Sequence, residues 1–230
     1  MIELEVVIPC FNESGNLPRL LKEIEDVRCS KSVAFVLVNN GSSDETASIL
    51  AQANQRHLRV VNLESNQGYG GGILAGLSTC TAPLVGWMHA DLQTSPRVIE
   101  DLDLKNTSQC LVKGRREGRD VVDRVFTAGM SLLETVIFCQ RMSDINGQPT
   151  VFPRVWFESL KSPPRDFSLD LFVYLHALRT GIQIVRVPVI FGSRFAGVSS
   201  WNTGMRSRLK FIIRTLQYSF ELMRRDRENL

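Results

Sequence analysis

His89, Asp91 and Gln93 stand at alternate positions directly after the apolar run LVGWM at 84–88, so an imidazole, a carboxylate and an amide could face one site. A carboxylate with an imidazole beside it is a donor set for a divalent cation: the hard oxygen suits Mg2+ or Mn2+, and the imidazole tilts the choice toward Mn2+. In an open α/β sheet the working crevice lies beyond the carboxyl ends of the strands, where a cation bridging two phosphates would sit. The plainer reading of His89 is a hydrogen-bonded, partly buried histidine. Two more apolar runs end in polar turn-formers, VVIPCFNE at 6–13 and VNNGSSD at 38–44.

The segment Asn66-Gln-Gly-Tyr-Gly-Gly-Gly72 carries four glycines in five positions. Such a run costs ordering entropy unless the backbone takes positive φ or something approaches it closely. One reading is a phosphate loop, since Gly70-x-Gly72-x-x-Ala75 fits a dinucleotide fingerprint with Asp91 about 20 residues further on. It follows the third strand, however, whereas that fingerprint opens the first βα unit. The other reading is a tight turn before a close-packed helix. Arg115, Arg116 and Arg119 follow the strand CLVKG at 110–114, where guanidinium forks could hold phosphate or simply be solvated. Asp144 and Asp170 are candidates for a general base or a helix-start residue. Arg194, near Gly197 and Ser199, lies in a candidate anion-binding turn.

These groups need a sheet to position them. Strand-like runs at 4–8, 33–38, 58–63 and 84–88 alternate with helical patterns, which predicts βαβ units and a mainly parallel sheet. Leu17, Leu20, Leu21, Ile24 and Val27 recur at helical spacing, and Asp44, Glu45 and Thr46 open a second helix. After Pro96 come a short helix, a strand at 110–114, a helix over 121–139 and a turn-rich loop at 144–149. A helix over 168–180, a strand over 182–191 and a last helix from about Thr203 to Arg225 follow. That last helix sets an apolar stripe (Met205, Leu209, Ile212, Ile213, Leu216, Phe220, Met223) against a basic back. It could lie on an anionic membrane surface or pack on the core.

Composition narrows the class. The chain has 230 residues, 43% hydrophobic and 22% charged, enough for one domain with a substantial core. A net charge of +3 with no basic run interleaved with aromatics excludes a nucleic-acid platform. Five cysteines without CxxC spacing read as reduced thiols, mostly buried. No apolar run approaches the ~18 residues of a membrane span, and the sequence enters a strand without a leader, so a cytoplasmic protein is expected.

In order and spacing the loops resemble the family 2 glycosyltransferases of GT-A fold, particularly the branch of dolichyl- and polyprenyl-phosphate sugar synthases. VVIPCFNE resembles the opening VVIPxYNE, NNGSSD the DDGSxD, NQGYGGGILAG the NxGxGxAxxxG and HADLQTSP the DADLQxxP of that family. Later matches are GRR at 114–116, DINGQPTVF at 144–152 and RFAGVSS at 194–200. The resemblance implies an α/β GT-A domain over 1–230: a nucleotide-binding half at 1–100, an acceptor half at 101–203 and a basic helix at 204–230.

It also implies an inverting hexosyltransferase that moves a sugar from a UDP- or GDP-linked donor to a polyprenyl-phosphate or glycan acceptor in cell-envelope synthesis. Pro9, Asn12, Glu13, Asn40, Ser42, Asp44, Gly68 and Gly70 would border the nucleotide sugar, with Arg116 and Arg194 on phosphates or acceptor. His89, Asp91 and Gln93 would hold a divalent cation, Mn2+ or Mg2+. Asp91 is then the leaving-group residue, and Asp170 the base if the acceptor is a hydroxyl. Further partners would be a membrane surface or membrane protein at the cytosolic face and a second copy of the chain. The chain departs from the pattern at His89 and at Asn39 and Asn40, where acids are usual, and at Ser200, where a lysine is usual. The other readings are a non-catalytic GT-A subunit that binds a nucleotide sugar or a partner enzyme, and a nucleotidyltransferase.

Overall fold

The structure, a computed structural model, describes residues 2–30, 32–193, 195 and 205–228. Seven strands form one sheet in the order β3-β2-β1-β4-β6-β5-β7. They are β1 (Leu4–Cys10), β2 (Val33–Asn40), β3 (Leu58–Leu63), β4 (Leu84–Trp87), β5 (Cys110–Glu117), β6 (Thr150–Pro153) and β7 (Gln183–Ile190). Every pairing is parallel except those of β6, which runs antiparallel to both β4 and β5. The mainly parallel α/β sheet expected from the sequence is present.

β1 and β2 read as continuous apolar runs because helices cover both faces of the sheet. On one face Leu4, Val6, Ile8, Val33, Phe35 and Leu37 meet Leu17, Leu20, Ile24 and Val27 of α1 (Leu17–Ser30) and Leu50 of α2 (Thr46–Gln52). On the other, Val7, Val36, Val38 and Val85 meet Ile73 and Leu77 of α3 (Gly68–Leu77) and the buried residues of α7 (Leu169–Thr180). A 3₁₀ turn at Pro96–Asp101 and the short helices α4 (Leu104–Thr107) and α6 (Arg154–Glu158) join the strands. α5 (Val121–Phe138) and α8 (Met205–Glu228) pack on each other, and α8 reaches the core through Leu222.

Four expectations need correction. β4 stops at Trp87, one residue short of the expected 84–88, and in the loop after it Leu92 turns left-handed, so His89, Asp91 and Gln93 do not keep a simple alternation. β5 continues to Glu117, which puts Arg115 and Arg116 inside the strand. The glycines after Gln67 belong to the first turns of α3 and do not form a separate loop. β6 and α6 occupy 150–158, where the sequence suggested no element. Among the described residues, no helix is long and apolar enough to cross a membrane. Cys10, Cys80 and Cys110 are buried free thiols, as expected, while Cys139 is exposed.

Candidate active site

The carboxyl ends of β1, β2 and β4 lie at one edge of the sheet, and the loops leaving β1 and β2 are stitched together. The Asn12 amide donates to Ser42 Oγ at 3.1 Å, Ser43 donates its amide to Asn12 Oδ1 at 2.9 Å, and the Glu13 amide donates to Thr46 Oγ1 at 2.8 Å. Asp44 accepts from the amides of Ser14 at 3.2 Å and Thr46 at 2.9 Å, holding the start of α2 against the β1 loop. Burial alone would push the Asp44 carboxyl up, but hydrogen bonds from Thr46 and Ser14 outweigh it and set its pKa at about 2. Asn12 has φ +55°, a left-handed conformation that asparagine tolerates. Asn12, Glu13, Ser42 and Asp44 are thus brought together, while Pro9 stands within β1 opposite Val38 of β2.

Asn39 and Asn40 owe their amide chemistry to their neighbours. Asn40 accepts from the Gln67 amide at 3.0 Å and donates Nδ2 to the Gly68 carbonyl at 2.9 Å, which no carboxylate could do. Asn39 likewise accepts from the Ser42 amide at 3.1 Å and donates to Asn62 Oδ1 at 3.1 Å. The glycines serve close packing: a Cβ on Gly70 would lie 2.7 Å from backbone atoms of residues 164–166. The Gly71 amide near the start of α3 donates to the Arg165 carbonyl at 2.8 Å. Of the run, Gly68 alone takes positive φ, at +79°.

The loop after β4 carries the candidate cation ligands. Asp91 is 5% exposed, and its Oδ1 accepts from the Gln93 amide at 3.1 Å. Leu92 has φ +58°, which breaks the alternation that the sequence suggested. Gln93 is tied to the end of β7: its Nε2 donates to the Gly192 carbonyl at 3.2 Å, and the Gly192 amide donates to the Gln93 carbonyl at 2.8 Å. His89 turns to Tyr69, its ring stacked at 5.3 Å and Nε2 3.5 Å from the phenol oxygen. Among the described residues, no three His, Cys, Asp or Glu side chains cluster to hold an ion unaided. A carboxylate and an imidazole are donors that suit a divalent cation such as Mn2+; in this structure the His89 ring faces Tyr69 and the Gln93 amide group faces Gly192.

Behind His89 lies a buried polar network that the sequence reading did not assemble. Tyr69 donates to Asp170 Oδ2 at 2.8 Å and accepts from Gln148 Nε2 at 2.8 Å. Lys113 Nζ donates to Asp170 Oδ1 at 2.7 Å and to Thr150 Oγ1 at 2.9 Å. Burial pulls the Lys113 pKa below the usual lysine value against the opposing pull of the Asp170 charge, and burial pushes the Tyr69 phenol well above its usual value. Asp170 is 2% exposed, so bulk solvent does not reach it directly. The available signals were a lone lysine in an apolar strand and the one non-glycine within GYGGG.

Arg116, at the end of β5, is braced by Asp144. Its backbone amide donates to Oδ2 at 2.8 Å and its Nε to Oδ1 at 2.7 Å. Burial favours the protonated carboxyl, but Arg116 beside it prevails and holds the Asp144 pKa below the usual range. Arg116 and Arg119 also lie over the Phe191 ring, at 5.4 and 6.0 Å from its centre. Arg115 pairs with Glu117 at the surface. Arg186, absent from the sequence reading, donates to the carbonyls of Gly114 at 3.2 Å and Asp144 at 3.1 Å. Arg194 and Ser200 lie outside the described residues.

The glycosyl transferase family 2 pattern matches residues 5–118. The undecaprenyl-phosphate 4-deoxy-4-formamido-L-arabinose transferase of Klebsiella pneumoniae is 36% identical over 129 residues, which cover 54% of this chain and 36% of that protein. The chain thus spans little more than a third of that relative's length. An uncharacterised glycosyltransferase of Synechocystis sp. is 30% identical over 215 residues, 87% of this chain and 65% of that protein. Among solved structures, the glucosyl-3-phosphoglycerate synthase of Mycobacterium tuberculosis in complex with Mn2+, UDP and glucosyl-3-phosphoglycerate superposes with a TM-score of 0.68. It is 19% identical, with 94% of this chain and 79% of that one covered, a likeness of fold.

Proposed function

From the premise that this chain belongs to glycosyl transferase family 2 and has the GT-A fold, we propose that it is an inverting glycosyltransferase. It moves a sugar from a nucleotide-diphosphate sugar to a polyprenyl phosphate in cell-envelope glycan synthesis. The observation that carries the reading is the convergence of the stitched β1 and β2 loops with Asp91 at one edge of the sheet. The Klebsiella relative's undecaprenyl-phosphate acceptor supports the lipid phosphate, and the Mycobacterium structure's Mn2+ and UDP support the donor.

In this reading Pro9, Asn12, Glu13, Asn40, Ser42, Asp44, Gly68 and Gly70 shape the nucleotide side, residues 1–100 forming the donor half and 101–203 the acceptor half. Asp91, with His89 and Gln93, would hold a divalent cation, which when bound neutralises charge on the departing diphosphate. Asp91 is the catalytic carboxylate. The acceptor oxygen attacks the anomeric carbon from the face opposite the diphosphate, and the C–O bond to the diphosphate breaks. A phosphate oxygen is already anionic and requires no base. That suits Asp170, which its partners Lys113 and Tyr69 make a positioning residue. Arg116, oriented by Asp144, and Arg194 serve the phosphates.

Calorimetric titration with UDP, GDP, CDP and TDP, each with Mn2+, Mg2+ or chelator, tests this. Cation-dependent binding of one diphosphate, lost in Asp91→Ala, followed by transfer to polyprenyl phosphate, is the expected result; no binding to any of them overturns it. Asp170→Asn combined with Lys113→Met, which strands no charge, separates the acceptors, because turnover that survives loss of the carboxylate excludes a hydroxyl acceptor that needs it as base. The amides at Asn39 and Asn40 and the imidazole at His89 favour one second reading, a non-catalytic subunit, in which Asp91→Ala leaves biological activity intact.

A further inference from the structure

α5 is apolar almost all round, with Asp123, Arg124 and Glu134 its only charged residues. A helix of that kind is normally covered on every side. Here Glu134 and Ser131 are buried, while Val121, Val122, Val125, Leu132 and Val136 are between 61% and 70% exposed. At the helical repeat these five fall on one face with Ala128 and Gly129, opposite Glu134. A Cβ on Gly129 would meet nothing within 4 Å, so the chain's own packing gives no reason for a glycine there.

Taking the lipid-phosphate acceptor as given, we infer that the exposed face of α5 is a membrane-docking surface that seats the chain on an anionic bilayer beside its acceptor. Charge favours this occupant. α8 is clasped to the back of α5, where Ser219 Oγ lies 2.9 and 3.0 Å from the Glu134 carboxyl oxygens. The sequence of α8 carries seven basic residues against three acids, a larger excess than the whole chain's net charge of +3. Arg124 is the one exposed charge on α5 itself. An aliphatic face with Arg124 at its edge, on a helix backed by one whose sequence is strongly basic, suits an anionic lipid surface.

Composition argues against a protein partner, since this face presents valine, leucine, alanine and glycine, whereas anchoring residues at protein interfaces are enriched in Trp, Tyr and Arg. The face is also continuous with the site. α5 starts five residues after Arg116, and Ile190, 84% exposed, is the β7 partner of Glu117 in β5. A lipid phosphate reaching Arg116 would therefore leave its hydrocarbon tail against an apolar surface.

The test is flotation of the full chain with phosphatidylcholine vesicles, with and without phosphatidylglycerol. Binding to the anionic vesicles is expected, weakened about tenfold or more in Leu132→Asp/Val136→Asp. Both positions are exposed, and unchanged diphosphate affinity in the same sample shows that the fold and the donor site survive. The variant Val125→Trp should gain a blue-shifted emission component when anionic vesicles are added, over any change in the unaltered chain. No binding to anionic vesicles, binding indifferent to the paired aspartates, or no added blue shift in the Val125→Trp variant overturns the inference. So does a dimer that the paired aspartates dissociate, which assigns the face to a second copy. Failure here with diphosphate binding intact leaves the transferase reading standing; loss of diphosphate binding in the unaltered chain refutes that reading instead.

Discussion

Lys113 and Asp170 form an ion pair sealed from solvent, with Nζ 2.7 Å from Oδ1 and side chains 0% and 3% exposed. Removing one partner strands a charge, whereas removing both does not. Lys113→Met should lower the unfolding free energy in urea by about 3–5 kcal/mol. Adding Asp170→Asn to it should restore a good part of that loss. Additive losses in the double variant would show that the pair is not coupled.

Among the described residues no cation pairs with Glu134; Ser219 Oγ donates to its carboxyl oxygens at 2.9 and 3.0 Å and lies 2.9 Å from the Thr215 carbonyl. Burial, partly offset by Ser219, raises the Glu134 pKa from the ordinary 4.5 to about 7. A raised folded-state pKa means that its stabilising contribution is full below about 4.5 and is lost as pH rises toward 7. Glu134→Gln should therefore be more stable than the unaltered chain at pH 8, by up to about 3 kcal/mol. The difference should shrink on acidification through that window; a pH-independent difference would show that Glu134 titrates normally.

Two glycines should respond in opposite directions. Gly70→Ala forces a methyl to 2.7 Å from backbone that cannot rotate aside, and should cost about 1–3 kcal/mol. Gly129→Ala adds a methyl in open space on a helix and should stabilise by about 1 kcal/mol. Thermal unfolding of both variants checks the pair.

His89→Asp replaces an imidazole with a hard oxygen donor beside Asp91. Diphosphate binding should then shift its preference from Mn2+ toward Mg2+. Titration with each ion reads the change directly, without turnover. An unchanged Mn2+ to Mg2+ ratio would remove His89 from the ligand set.

Asn40→Asp brings the chain nearer the acidic family pattern and should nevertheless weaken it. The new oxygen would face the Gly68 carbonyl where Nδ2 now donates at 2.9 Å, at a cost of about 1–3 kcal/mol. Stability equal to that of the unaltered chain would mean that the amide is not needed there.

The strands β1, β2 and β4 were legible because burial on both faces leaves them mainly apolar, and the half-buried edge strand β3 because Leu58, Val60, Val61 and Leu63 dominate it. β6 was not: TVFP is four residues long and follows a turn-rich stretch with no period of its own. The stitched loops could be located from their polar turn-formers, but the Asp170 network could not. Its members are brought together over separations of 57 residues for Lys113 and 101 for Tyr69, which local periodicity does not report. The alternation at 89–93 failed because the backbone turns left-handed at Leu92, which an L-leucine rarely does.

The reversed strand β6 has a consequence for how such a site can diversify. Because β6 runs against β4 and β5, the residues feeding into it, Asp144 to Gln148, arrive at the same edge as the residues leaving the forward strands. One wall of the crevice is therefore a chain segment on the way in, contiguous with neither stitched loop. Substitution and length change at 140–149 can remodel that wall while the nucleotide side keeps its scaffold, a division of labour between a fixed socket and an exchangeable insert.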